Sequence, residues 1–371
     1  MRTALSCRLG IEQPIFGFCH AREVVAAVTN AGGFGVLGAA RFDSDELDDQ
    51  LRWIVQRVGA RPFGVDLVFP ITYLGDDREQ LESAIPEAHR RFVGSLMDRF
   101  EIPPAPHLKA PMIRGHEHAR EQWETTKRYA GSVRLLASAL GPLPPEVQAE
   151  ARDLGIATAG LVGDPRHVRR HLDVGTQILI AQGTEAGGHC GEIGSLVLLP
   201  QVVDAAGSVP VLAAGGVGTG RQVAAALALG AEGVWTGSVW LTTTEYAAHP
   251  MLQRKLLAAA SRDTVRSRSR TGKPVRQLRT PWVKAWESDE APAPLKAPLQ
   301  QLLVGEAVLS ALEHNVDDAI GSPAGQVVGM IDRERTVAEV MRQLRSGALD
   351  SARRLSAAAG LPVDTEELSV D

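Results

Sequence analysis

Residues 177–195 read QILIAQGTEAGGHCGEIGS, and the rest of the chain is organised around them. Ile178, Leu179, Ile180 and Ala181 have the length and β-branched content of a buried strand, and the run stops abruptly at Gln182-Gly183. Such a strand hands its last side chains to the loop that follows. That loop carries Glu185, the pair Gly187-Gly188 and then His189. Glycine backbone lets amides approach a flat or anionic ligand, and imidazole titrates near neutral pH. The stretch reads as a cofactor cradle with an acid/base residue at its lip, and Glu185 as an anchor for the loop or a helix-cap acceptor.

On both sides of this strand, apolar runs alternate with helical patterns, the signature of βαβ units and a parallel sheet. Strands are predicted at 14–18, 34–37, 63–69, 133–139 and 156–162 before it, and at 209–214 and 233–236 after it. Helices are predicted at 22–30, 44–58 and 145–153, with Asp164-Pro165 starting another that runs to 172. Eight strands in about 250 residues predict a (β/α)8 TIM barrel, with a doubly wound sheet as the runner-up. Residues 76–132, with helix-like pieces at 78–100 and 117–129 around the proline-rich IPPAPHLKAP, read as an insertion on the barrel rim. Beyond 260 the rhythm changes: 262–298 is rich in Arg, Pro and Trp, and 302–314 and 336–359 are amphipathic helices. The expected division is a cofactor-binding barrel at 1–260 and a substrate-side loop with a helical cap at 261–371.

With 371 residues, 44% hydrophobic and 22% charged, the chain can bury a large core. A net charge of −5, spread along the chain, implies no general attraction to nucleic acid or membrane. The basic run 262–279 lacks interleaved aromatics and reads as a solvated linker. Trp282 and Trp286 beyond it are read as closing the pocket or facing another subunit. No apolar run is long enough to span a bilayer, and the first residues lack a signal peptide's apolar core, so a cytoplasmic location is expected. Cys7, Cys19 and Cys190 have no metal-ligand spacing and are expected to be free thiols, Cys190 as a small filler. His116 and His118 lack a third ligand, and no metal is expected.

In such barrels the active site lies at the C-terminal strand ends, and a phosphate commonly binds after strands seven and eight. Strand seven ends in Ala213-Ala214-Gly215-Gly216, before Val217-Gly218-Thr219-Gly220 opens a helix; strand eight ends in Trp235-Thr236-Gly237-Ser238. Two such turns one βα unit apart predict a phosphate site. GGVGTG lacks both the GxGxxG spacing and the later acidic residue of a dinucleotide fold.

Together, QGTEAGGH, AAGGVGTGRQVAAALALGAEGVWTGS, the earlier VTNAGGFGVLG and the late GQVVG strongly resemble the nitronate monooxygenase family, formerly 2-nitropropane dioxygenases. The resemblance spans about 14–355 and is weakest over 76–132. It implies an FMN-dependent barrel that oxidises alkyl nitronates with molecular oxygen. Related flavoproteins of similar sequence instead use NAD(P)H to reduce quinones or enoyl thioesters. The resemblance assigns Gln182, Gly187 and Gly188 to the flavin edge and ribityl chain. It gives the FMN phosphate to Gly216, Gly237 and Ser238, with backbone at Trp235 and Thr236. Phe16, Gly17 and Phe18 would line the ring, and His189 falls on the catalytic histidine. His20, read from its own place at the end of strand one and not from the resemblance, is expected to face the same pocket and touch substrate.

Two departures bear on the reaction. The proline-methionine pair that often follows strand one is replaced by Phe16-Gly17-Phe18-Cys19-His20, and the usual strand-three asparagine is Asp66. A carboxylate beside the flavin lowers its reduction potential unless it is protonated or paired. Three classes therefore stand: a nitronate-oxidising FMN enzyme, an NAD(P)H-dependent flavin reductase, and a non-catalytic barrel binding a phosphorylated metabolite.

Overall fold

The computed structural model describes residues 1–70, 75, 77–109 and 115–361 of the chain. Eight parallel strands close into a barrel: β1 (Ile15–Cys19), β2 (Phe34–Gly38), β3 (Phe63–Val68), β4 (Val133–Ala139), β5 (Ala157–Val162), β6 (Ile178–Gln182), β8 (Val211–Ala214) and β9 (Gly233–Thr236). β9 pairs back onto β1, so the fold is the expected TIM barrel and the doubly wound sheet is excluded. Each predicted strand falls within two residues of its observed bounds. The two-residue strand β7 (Gly188–His189) lies in the loop after β6. It pairs with β11 (Val275–Leu278), which also pairs with β10 (Thr264–Ser267), giving a small antiparallel sheet.

Side chains along each barrel strand alternate between lumen and helix layer. Lumen residues such as Phe16, Phe34, Leu135, Ile178, Ile180 and Leu212 form one apolar cluster, joined by Leu5 and Ile11. The short helix that carries Leu5, Ala4–Leu9, is tied to the base of β9, because Thr3 donates its hydroxyl proton to the Glu232 carbonyl at 2.7 Å. Outward residues such as Ile15, Leu37, Val65, Leu179 and Val234 pack with the surrounding helices in a second, larger cluster. Each fully buried aliphatic side chain contributes about 1.5–3 kcal/mol. Helix Ser44–Val58 shows how the outer layer is specified: Asp43 and Glu46 form a capping box, and Leu47, Leu51, Ile54 and Val58 bury one face.

The last long helix, Val337–Ala358, packs against helices Gly220–Ala228 and Arg22–Asn30 and completes the outer ring. At the first contact a Cβ on Gly220 would stand 2.2 Å from the Ala348 amide nitrogen, so the two backbones touch. Residues 237–336 thus intervene between β9 and this helix, and part of that segment walls the barrel mouth.

A separate apolar layer joins helix Glu87–Arg99 to Pro281–Ala285 and Leu299–Glu313. Trp282 and Trp286 are buried in it, Trp286 against Phe92 at a centroid distance of 5.0 Å. They neither line the cavity described below nor present a free surface, contrary to both sequence readings, because the rim helix covers them. The predicted helix at 78–100 is two, Arg78–Ser83 and Glu87–Arg99, parted at Pro86, which lacks the amide a continuous helix needs. Helix His116–Lys127 packs on the barrel: Trp123 is fully buried, and Gln122 donates to the carbonyls of Ala39 and Phe42.

The basic run 262–279 is not a solvated linker but the β10–β11 hairpin. Its charge is compatible with burial because backbone oxygens take up the guanidinium protons. Arg276 donates to the Thr184 carbonyl at 2.6 Å, and Arg266 to that of Gly191 at 2.7 Å. Among the described residues no helix is long and apolar enough to cross a membrane, and no cluster of three metal-ligating side chains occurs.

Candidate active site

The C-terminal ends of the strands open into a cavity of about 360 Å³. Strand alternation decides much of its floor and wall: Phe18 and His20 follow Phe16 inward, and Gly38, Asp66, Val68, Leu161 and Gln182 occupy equivalent inward positions. The upper wall comes from the loop 185–189, from the turns after β8 and β9, and from residues of 241–327. Of the residues singled out in the sequence, Phe18, His20, Asp66, Gln182, Gly187, Gly188, His189, Gly216, Trp235, Thr236, Gly237 and Ser238 all border this one cavity.

Phe16 and Gly17 do not. Phe16 is fully buried one layer deeper, between Phe34 (5.2 Å) and Trp235 (6.3 Å), and Trp235 stacks in turn beneath Phe18 at 5.9 Å. Gly17 faces the helix layer, where a Cβ would meet Val28 at 2.8 Å. The correction follows from the two-residue period: of the three consecutive positions, only Phe18 is both inward and at the mouth.

His189 is held by its strand pairing with Val275. Its Nδ1 lies 3.3 Å from the Pro274 carbonyl, and since a carbonyl only accepts, Nδ1 carries the proton and Nε2 presents a lone pair. Burial pushes its pKa down to about 4, the Pro274 carbonyl opposing this, so the imidazole is neutral at neutral pH. His20 repeats the arrangement: Nδ1 donates to the Gly38 carbonyl at 2.7 Å, and burial lowers its pKa. Gly38 makes the room for it, because a Cβ there would stand 2.6 Å from the His20 ring.

Asp66 is buried, and its carboxyl has no hydrogen-bond or ionic partner among the described residues. Burial raises its pKa to about 7, so near neutrality the protonated form is well populated. Glu185 is fully engaged: both oxygens accept from the Ser195 amide at 3.0 Å, and one also accepts from the Ser195 hydroxyl at 2.9 Å. It ties the loop to the start of helix Ser195–Ala206 and is the structural anchor expected. Cys190 is half-buried, with a pKa raised by burial, as suits a filler thiol.

The glycines divide by role. Gly215 and Gly216 both have left-handed φ (87° and 71°), which turns the chain sharply after β8. A Cβ on Gly188 would meet nothing within 4 Å and one on Gly237 only the Phe18 carbonyl at 4.0 Å, so bare backbone borders open space. Gly187 is constrained from its other side, where a Cβ would stand 2.7 Å from the Gly325 amide. Gly325 in turn donates to Ser238 Oγ at 2.7 Å, which leaves the Ser238 proton available. The late GQVVG motif thus seats its backbone on the cradle loop.

The open backbone, the left-handed turn and the available hydroxyl fit a phosphorylated planar cofactor. Arg270, Tyr246, Thr271, Ser322 and Pro323 also line the cavity, and sequence reasoning missed them. Their segment has no βα rhythm, and it is brought over the barrel by the pairing of β7 with β11, by Arg276 on the Thr184 carbonyl and by Gly325 on Ser238.

A family model described as nitronate monooxygenase matches residues 2–347. The chain belongs to the nitronate monooxygenase family. It is 45% identical over 374 residues to "Putative monooxygenase Rv1533" of Mycobacterium tuberculosis, covering 96% of this chain and 98% of that one. Among solved structures it resembles nitroalkane oxidase from Streptomyces ansochromogenes, with a TM-score of 0.82 and 26% identity over 95% of this chain and all of the other (100%). FabK from Thermotoga maritima is similar with a TM-score of 0.73 and 26% identity, over 96% of this chain and 99% of that one. The protein is a flavin-dependent oxidoreductase of this family.

Proposed function

We propose that the protein is an FMN-dependent nitronate monooxygenase that oxidises alkyl nitronates with molecular oxygen. The observation that carries the reading is one cavity bordered by both the glycine turns after β8 and β9 and the neutral imidazole of His189. When bound, FMN would supply the electron transfer between substrate and oxygen. Gly216, Gly237 and Ser238 would hold its phosphate, with backbone at Trp235 and Thr236. Gln182, Gly187 and Gly188 would border its ring and ribityl chain, Phe18 and Asp66 contributing from β1 and β3.

His189 acts in this reading through Nε2, the nitrogen left without a partner among the described residues. A neutral imidazole can accept the α-proton of a nitroalkane at Nε2, whereas a protonated one would be needed to donate to an arriving nitronate. The lowered pKa favours the first of these roles, in which His189 generates the nitronate from a nitroalkane within the site. His20 would present its own Nε2 lone pair to substrate.

The likeness to FabK favours a second reading, an NAD(P)H-dependent flavin reductase acting on quinones or enoyl thioesters. An oxygen electrode separates the two. Oxygen uptake on adding the nitronate of 2-nitropropane, with no nicotinamide present, is the expected result. Uptake that starts only when NADH or NADPH is added would reject the monooxygenase reading.

A further inference from the structure

Arg270 borders the cavity, yet its guanidinium makes no ion pair or hydrogen bond with any described side chain or backbone group. Most other arginines near the mouth are engaged: Arg266 pairs with Glu192, Arg276 donates to Thr184, and Arg41 donates to the His20 carbonyl. Among the described residues the neighbour that interacts electrostatically with Arg270 is Tyr246, a phenol that also lines the cavity and whose pKa burial raises. Thr271 alongside spends its hydroxyl proton on the Lys273 carbonyl at 3.3 Å, so the donors this wall offers are the guanidinium and the phenol. Two acids border the cavity and neither is Arg270's counter-ion: Glu185 is engaged by the Ser195 amide and hydroxyl, and Asp66 has burial alone as the cause of its shift.

The turn that carries Arg270 is pinned by buried polar groups. The Ser269 carbonyl accepts from Gln300 Nε2 at 2.8 Å, its hydroxyl accepts from Gln277 Nε2 at 3.2 Å, and Ser269, Gln277 and Gln300 are all buried. Gly272, with φ of 80°, lets the chain pass where a Cβ would stand 2.1 Å from the Leu295 carbonyl. Sequestering that many polar groups is costly unless every partner is in place, and the result is a turn held in one position. Arg270 is half-buried, and a guanidinium held on such a turn at the cavity wall without a counter-charge is stabilised by whatever anion enters the cavity. Burial lowers its pKa, which such an anion would reverse.

We infer that Arg270 is a specificity-determining residue, which binds the planar oxyanion of the substrate, a carboxylate or the isosteric nitronate, with the Tyr246 hydroxyl as a flanking donor. This rests on the oxidoreductase reading for the meaning of "substrate" but not for the existence of the anion site. It makes the cavity selective for anionic over neutral molecules of the same shape, because a planar two-oxygen anion matches the guanidinium fork.

The test is a calorimetric titration of the purified protein, with its flavin absorbance read in parallel, using propionate and its neutral isostere propionamide. Propionate should bind and propionamide should not. Arg270→Gln should weaken propionate binding by roughly tenfold to a hundredfold, and Arg270→Lys by less. In turnover with ethane nitronate, Arg270→Gln should raise KM by a similar factor while changing kcat little. Equal binding of acid and amide by the unaltered protein would overturn the inference without recourse to any variant. So would loss of bound flavin from Arg270→Gln with propionate affinity intact, which would move Arg270 to the cofactor. A colourless protein that still binds propionate through Arg270 would reject the flavin reading and leave the anion site standing.

Discussion

At the residue scale, the chemistry depends on where protons reside. With a neutral nitroalkane as substrate, His189→Ala should lower kcat by about 10²–10⁴ while flavin stays bound, since on the proposed reading the side chain takes the α-proton and the glycine backbone would hold the cofactor. Unchanged turnover at saturating substrate would remove His189 from the reaction. Asp66 gives a test of sign. Its carboxyl titrates near 3.8 when unfolded and at about 7 when folded, so ionisation costs stability progressively as pH rises between those values. Asp66→Asn should therefore raise stability at pH 8 by on the order of 2–4 kcal/mol, seen as a higher melting temperature, with the gain vanishing near pH 4. His189 and His171 run the other way. Both fall to about 4 from 6.5, so each adds stability that is whole above pH 6.5 and lost as pH drops toward 4. Denaturant midpoints across pH 4–8 check both trends. Many of these residues were legible in the sequence, because glycine pairs beside a histidine at a strand end constrain chemistry strongly. Phe16 was not, since depth within the barrel depends on strand stagger.

At the element scale, the contacts that set the site are backbone against backbone. Gly220→Ala would place a methyl group 2.2 Å from the Ala348 nitrogen and push the last helix off the ring. A loss of about 1–3 kcal/mol is expected, read as a lower denaturation midpoint with the flavin spectrum retained. Wild-type stability in that variant would mean the helix shifts freely. The regular elements were readable from periodicity, as helix Arg22–Asn30 and strands β4, β6 and β9 match their predicted bounds. The β10–β11 hairpin was not. Its strands are short and arginine-rich, and its burial depends on carbonyls some 75 and 92 residues away in sequence, those of Gly191 and Thr184. The same blindness hid Arg270.

At the scale of the whole molecule, a closed barrel gives eight strand ends that point to one mouth, and the 237–336 segment walls that mouth before the chain returns to complete the ring. The lumen is filled by apolar side chains below Phe18 and Trp235, which give the cavity an aromatic floor. This much follows from eight alternating units, and the sequence revealed it because each unit repeats the same periodic pattern. How the rim helix and Leu299–Glu313 build a second core was hidden, since their pairing joins segments about 200 residues apart. The measurement that tests the central claim most directly is an anaerobic absorbance spectrum of the purified protein before and after separate additions of 2-nitropropane nitronate, NADH and NADPH. The account predicts a flavin spectrum that responds to the nitronate and ignores both nicotinamides. A protein that stays colourless even after FMN is added, or a flavin bleached by a nicotinamide alone, would contradict it.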